Sequence, residues 1–238
     1  MSRYAVLVAG AIAALVCGRL GVWQLDRLGA RRAANALIAA RLAQPPLAAE
    51  ALLLTGSAAE DLDYRHVRVA GRFDFEREVI VVGRTHRGVP GAHLVTPLLL
   101  ASGSALLVER GWAAAPDGRS PNLVAAREPA DADVAGVLFV PRGSGTNASD
   151  GWPIRVRAAD PGLLGPRYPY PLLPLILRRD SVAGAPLRAV PLPELTNGPH
   201  LSYAIQWFAF GAIALVGSVV LVRKAVVEVG GGSGGSGG

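Results

Sequence analysis

Apolar and polar positions divide the chain into three regimes. Residues 4–18 and 201–222 are nearly continuous apolar runs, and between them short alternating stretches are broken by turns. The second run has no charged side chain and ends at Arg223 and Lys224. About 20 such residues span a bilayer core as a helix, and aromatics at one end with bases at the other act as interfacial anchors. A transmembrane helix is therefore expected over 200–222. On it, His200, Tyr203, Ala204, Trp207, Gly211 and Ala214 share one stripe, which joins an imidazole, two flat rings and a groove of small residues.

The first run predicts another span, over 4–25. It follows Met1, Ser2 and Arg3 directly, too little for an Arg- and Ser-rich transit peptide, which fits a bacterial chain. Ala14-Leu15-Val16-Cys17 puts Val where a lipoprotein box needs a small residue, and no Ala-x-Ala site follows, so an uncleaved anchor is expected. The helix should continue to about residue 42 and end by Pro45-Pro46. Gly10, Ala14 and Gly18 recur every four residues, a face that lets the other span approach closely. Arg19, Trp23, Asp26 and Arg27 share a face that reads either as an interfacial belt or as an arginine pair facing anionic groups at the membrane mouth.

Residues 60–196 predict a mainly antiparallel β domain. Val67, Val69, Phe73 and Phe75 alternate with polar neighbours, and 78–82 is a compact apolar strand. Strands at 93–100 and 105–112 flank the turn Ala101-Ser102-Gly103-Ser104 as a hairpin. Residues 116–130 read as a polar loop, 133–140 as a strand leading into a loop through Gly143-Ser144-Gly145, and 158–164 as a short helix. Pro169, Pro171 and Pro174 assign the strand at 172–177 to a sheet edge. The expected class is α+β, with N- and C-terminal transmembrane helices flanking this domain and a flexible Gly/Ser tail at 230–238.

Composition narrows the function. The formal charge is +6, carried by scattered arginines and a single lysine, Lys224. No basic run of the kind nucleic acid requires is present, so membrane lipid is the expected polyanion. One cysteine, Cys17, excludes an internal disulfide and a Cys-based zinc site. Arg223 and Lys224 argue for cytoplasmic termini and an extracytoplasmic middle, although Arg19, Arg27, Arg31 and Arg32 then break the charge rule. Long domains translocate largely regardless of charge. There is no G-x-S-x-G elbow, H-E-x-x-H or phosphate loop, Asp61 and Asp63 flank an expected exposed turn, and Ser202 lacks a base. No enzyme is expected. His66 and His86 read as a solvated face and His93 as a strand residue among apolar neighbours, without metal-ligand spacing.

Five segments occur in a telling order: Leu20-Gly21-Val22-Trp23-Gln24-Leu25-Asp26-Arg27, Val69-Ala70-Gly71-Arg72-Phe73, Gly91-Ala92-His93-Leu94-Val95-Thr96-Pro97-Leu98, Leu107-Val108-Glu109-Arg110-Gly111-Trp112 and Pro199-His200-Leu201-Ser202-Tyr203-Ala204-Ile205-Gln206-Trp207. With the two-span layout they resemble the Surfeit-locus/Shy family of cytochrome c oxidase assembly proteins. The resemblance covers the chain without its tail. It implies a two-pass protein of the bacterial plasma membrane with its middle domain outside. It also implies a role in delivering haem a to the catalytic subunit of cytochrome c oxidase, with haem a synthase as a further partner. The alternatives are a stable accessory subunit or scaffold of the oxidase, and a membrane-anchored enzyme.

The resemblance carries a proposed haem ligand to His200, and an Arg-Gly-Trp motif to Arg110, Gly111 and Trp112. Glu109 stands where the family often has Asn. Imidazole is a usual haem ligand, and Tyr203, Trp207 and Trp23 would flank a flat macrocycle while Arg19 and Arg27 meet its propionates. The competing reading of His200 is a helix cap at the interface. Trp23 and Gln24 are expected beside Tyr203 and Gln206, within about 10 Å of the second span. Arg110 should hold a carboxylate in a fork, with Asp74 or Glu76 as the internal candidates or an acid of a partner as the other.

Overall fold

The computed structural model describes residues 2–48, 59–141 and 149–231. The expected loop at 143–145 and positions 232–238 of the expected tail lie outside these residues. Two compact units are present: residues up to 37 with those from 194 onward, and residues 38–193.

The first unit is a pair of long helices. Helix α1 is Arg3–Leu42, and the last helix, α4, is His200–Gly231, so Gly230 and Gly231 close a helix rather than open the tail. Both are long and apolar enough to cross a membrane. Small residues set their contact. A Cβ on Gly10 would fall 2.5 Å from Ser218 Oγ, and one on Gly21 would fall 2.6 Å from the Phe208 ring. Gly211 lies against Cys17 and Ala14. The pairs 10 with 218, 17 with 211 and 21 with 208 make the helices antiparallel. On α1 the row is Gly10, Ala14, Cys17, Gly21, Gln24 and Leu28, a spacing of three and four. Gly18, the expected third member, is off it and a Cβ there would touch nothing. A strict four-residue repeat drifts around a helix of 3.6 residues per turn, whereas alternating steps of three and four stay in register.

The second unit is built on one sheet of eight strands: β1 (Leu47–Ala48), β2 (His66–Phe73), β3 (Val79–His86), β4 (Val89–Leu99), β5 (Ala105–Ala114), β6 (Asp131–Phe139), β7 (Ile154–Val156) and β8 (Leu172–Arg179). Short helices α2 (Ala59–Leu62) and α3 (Pro161–Leu164) complete it, the latter shorter than the helix expected at 158–164. The order is β1-β2-β6-β8-β5-β4-β3-β7. A further pairing of β2 with β4, Arg72 with Leu99 and Phe73 with Leu98, closes the strands β2, β6, β8, β5 and β4 into a barrel. Most pairings are antiparallel, and β1–β2, β3–β7 and β5–β8 are parallel.

Alternation fills the barrel. Leu106 and Val108 of β5 join Val67, Val69, Leu98, Leu138 and Leu177 in its core. Leu107, between them, packs in a second cluster with Val79, Val95, Ile154 and Leu164. Strand β5 is covered on both faces, so it reads as an unbroken apolar run rather than an alternating one. Each such side chain taken from water contributes about 1.5–3 kcal/mol.

Strand β8 is not the edge strand its prolines suggest: it lies between β5 and β6. Its pairing with β6 begins only at Ile176, beyond Pro174, and its register against β5 shifts between Leu172 and Ile176. Pro174 therefore sits where no ladder hydrogen bond is asked of it. Asp63 also departs from expectation. It is buried at 3% exposure and its carboxylate accepts the Val140 N–H at 3.0 Å.

Candidate functional site

Helix α4 begins at His200, after a turn in which Gly198 adopts φ +65°. The Ser202 hydroxyl and Tyr203 N–H both donate to the Pro199 carbonyl at 2.8 and 3.1 Å, closing the first turn. Two side chains of α1 hold the entry segment. Arg31 Nε and Asn35 Nδ2 donate to the Thr196 carbonyl at 3.1 and 3.0 Å. These contacts fix where α4 starts, and with it the imidazole.

Gln24, on the contact row of α1, meets His200. The Gln24 Oε1 oxygen lies 2.9 Å from His200 Nδ1. An amide oxygen only accepts, so Nδ1 is the donor in this pair and Nε2 is left outside it. The Nε2 edge runs past Gly198, where a Cβ would stand 3.6 Å away. A half-buried imidazole whose tautomer is fixed by a neighbour is the arrangement metal-ligating histidines use.

Of the remaining sequence-derived residues of this unit, only Trp207 shares the packed face. Trp207 is half-buried and packs edge-on to Phe210, with ring centroids 6.1 Å apart. Tyr203 is 46% exposed, so the packed stripe runs through His200, Ala204, Trp207 and Gly211 without it. Gln206 is exposed, and the partner of Gln24 is His200 instead. Arg19, Trp23 and Arg27 are exposed on α1, off the contact row. The Arg27 guanidinium lies 5.9 Å from the Trp23 ring centroid, within reach of a cation–π contact.

In the β unit, the register between β4 and β5 slips at Arg110: Leu94 faces Gly111 while Val95 faces Glu109. Arg110 is the extra residue of that bulge. It is 1% exposed and its internal carboxylate is Glu78, at 2.8 Å, rather than Asp74 or Glu76. Its Nε donates to Thr96 Oγ1 and its Nη1 to the Ala126 carbonyl, at 2.8 and 2.9 Å, with Glu128 3.7 Å away. Phe75 and Phe73 cover the guanidinium at 4.8 and 5.7 Å. Burial draws the Arg110 pKa down, opposed by Glu78 and Glu128. Gly111 follows with φ +156°, and a Cβ there would meet the Arg188 carbonyl at 2.7 Å. Trp112 is 5% exposed, with Arg188 and His86 against its ring. The motif is thus internal to the fold. Asp74 is engaged elsewhere, with Arg77 and Tyr170 at 2.9 and 2.7 Å.

Glu109 links two bases. Its Oε1 lies 2.6 Å from His93 Nδ1, and its Oε2 accepts from Arg178 Nε at 2.6 Å. Burial would raise its pKa, but the His93 hydrogen bond and the Arg178 charge outweigh it, and the carboxyl ends below its ordinary range. His93 is therefore paired rather than merely surrounded by apolar side chains. His66 and His86 are half-buried as well, His66 with Asp180 at 3.8 Å. Sequence reasoning missed Glu78, Glu128, Arg178, Arg31 and Asn35. Their partners lie far along the chain, and only the turn-forming Thr196-Asn197-Gly198 hints that something grips the entry to α4.

Two helices long and apolar enough to cross a membrane, one at each end of a chain that folds between them into a closed β barrel, define the class of protein. A family model described as the SURF1 family matches residues 11–212, and the chain belongs to that family. An uncharacterized SURF1-like protein of Mycobacterium tuberculosis is 28% identical over 214 residues, covering 83% of this chain and 74% of its own. Surfeit locus protein 1 of Gallus gallus is 24% identical over 241 residues, 88% and 72% of the two chains. The cytochrome oxidase assembly protein SHY1 of Saccharomyces cerevisiae is 33% identical over 106 residues, 42% of this chain and 27% of its own.

Proposed function

We propose that this chain is an assembly factor for a haem-copper cytochrome c oxidase that receives haem a as cargo on His200 and passes it to the catalytic subunit. Family membership and the name of the yeast relative support the assembly role. The observation that carries the haem reading is the His200–Gln24 pair, which leaves one imidazole nitrogen free. A single axial bond suits a carrier, because two would oppose release. Haem a is too apolar to move through water, so a site on a membrane-length helix keeps it near lipid. His200 with Trp207 as a flanking ring is the proposed binding set; Tyr203, Trp23, Arg19 and Arg27, the other contacts the sequence suggested, lie exposed on other faces. Haem a synthase is the proposed donor.

The chain is placed in the bacterial plasma membrane with both termini cytoplasmic and the β unit outside. Arg223 and Lys224 support that orientation. A reporter active only outside the cytoplasm, inserted in the β unit, should be active, and activity from a C-terminal fusion instead would reverse it.

The test is co-expression with haem a synthesis, purification and an absorption spectrum. A haem band present in the wild type and absent in His200→Ala supports the carrier. Equal bands in both, or none in either, reject it. Stoichiometric retention on mature, active oxidase would make the chain a permanent subunit instead.

A further inference from the structure

The β unit holds four arginines around one hollow that its folding does not use up. Arg84 follows the bulge in β3, Arg155 lies on β7 with Arg157 just beyond it, and Arg119 sits in the loop after β5. With Asp117 and Ser149 they line a hollow of about 720 Å³. The convergence has a simple cause. Strands β3 and β7 pair in parallel, Ile80 with Arg155, and Ile154 and Val156 are buried, so the residue between them points away from the core. The Gly83 N–H donates to the Gly118 carbonyl at 2.9 Å and ties the loop to the same edge.

Arg68, Arg77, Arg110, Arg167, Arg178 and Arg179 each have a carboxylate within 4 Å. Among the described residues, Arg84, Arg119, Arg155 and Arg157 have none. Arg65, Arg72, Arg87, Arg127 and Arg188 of this unit also have no carboxylate within 4 Å among the described residues, but only Arg84, Arg119, Arg155 and Arg157 gather at this hollow. Arg84 Nη2 donates to the Arg157 carbonyl and Arg155 Nε to the Arg119 carbonyl, at 2.8 and 3.4 Å. The Arg84 Nε is buried without a partner. Asp117, the acid of the hollow, already accepts the Arg119 and Ser120 N–H groups at 2.8 Å, and those bonds hold its pKa at about 2. Four arginines thus line the hollow with one carboxylate, whose Oδ1 already accepts two backbone N–H groups.

From this we infer that the hollow binds a phosphate-bearing ligand. A lone carboxylate is satisfied by one guanidinium fork. Several forks converging without acids call for a tetrahedral oxyanion with three or more acceptors. The hollow is the size of a small-ligand site rather than a flat protein interface. The same chemistry is offered by a soluble phosphate ester or by a phospholipid headgroup.

The experiment titrates the full chain in neutral detergent with inorganic pyrophosphate and, separately, with dihexanoyl phosphatidic acid. Arg119→Gln and Arg157→Gln are the variants, because both side chains are exposed and their loss spares the core. Arg68→Gln, whose partner Asp133 lies outside the hollow, is the control. Each test variant should weaken binding about tenfold, the value of one hydrogen bond to a charged group, with an unchanged unfolding midpoint. The control should bind as the wild type does. Tighter binding of pyrophosphate assigns the site to soluble phosphates, and tighter binding of the short lipid assigns it to headgroups. No saturable binding of either probe, or equal weakening by the Arg68 control, overturns the inference.

Discussion

His200 and Gln24 are 176 positions apart, and one hydrogen bond of 2.9 Å between them decides which imidazole nitrogen is free. Removing the acceptor should act on haem through His200 alone. Gln24→Leu is expected to lower haem affinity by about 10- to 100-fold, the usual effect of losing a group behind a metal ligand. Gln24→Glu, which makes the imidazole a stronger donor, should keep the haem and lower its reduction potential. Haem titration and potentiometry of the purified variants check both. Affinity in Gln24→Leu equal to the wild type would remove Gln24 from the site.

The helix pair predicts a cross-link. A Cβ at Gly211 would stand 3.3 Å from Cys17 Cβ, close to the separation a disulfide spans. Gly211→Cys should oxidise with Cys17. After proteolysis between the helices, the two fragments should migrate together until reduced. Gly18 offers the contrast: its side is open, so a larger residue there should leave the cross-link yield unchanged.

Arg110 should be among the most sensitive positions of the β unit. Arg110→Leu leaves Glu78 buried at 3% exposure without its cation, a loss of about 3–5 kcal/mol. The expected result is a large drop in unfolding midpoint, read by tryptophan fluorescence in detergent. Haem stoichiometry per folded molecule should not change, because the motif is internal to the barrel. A stable Arg110→Leu protein that fails only in oxidase maturation would instead make Arg110 a partner contact.

Glu109 sets an acid dependence. Its folded pKa lies below the ordinary 4.5. The stability it contributes is therefore complete above 4.5 and is lost as pH falls through the lower folded value. Glu109→Gln should flatten that part of the stability profile while lowering stability at neutral pH, where Arg178 loses its partner. Identical acid profiles for the two proteins would show that the carboxylate is not stabilised by folding.

Local patterns carried most of the elements, and distant pairings did not show. Val67, Val69 and Phe73 announced β2, and the 101–104 turn announced the β4–β5 hairpin, because each rests on neighbours in sequence. Strand β7 is three residues long beside a proline and leaves no readable period. Strand β8 misled for a physical reason: its proline rule assumes a full ladder on both sides, and the register slip beside Pro174 relaxes that demand. The sequence points to Asp74 or Glu76 as the partner of Arg110, four and two residues short of Glu78, because nothing in sequence sets the depth to which the side chain reaches. At the candidate site, His200 and Gln24 were legible as separate marks, but the bond joining them belongs to the packed helices.

The grip of Arg31 and Asn35 on the Thr196 carbonyl bridges more than 160 positions. At about 5–20 residues per second, synthesis leaves the first helix waiting roughly ten seconds or more before that carbonyl exists. Throughout the interval its glycine row lies bare to any neighbouring helix. Biogenesis of this molecule therefore contains a window in which an outside segment can occupy the place kept for its own last helix, and a slow or truncated chain would stay open to such capture.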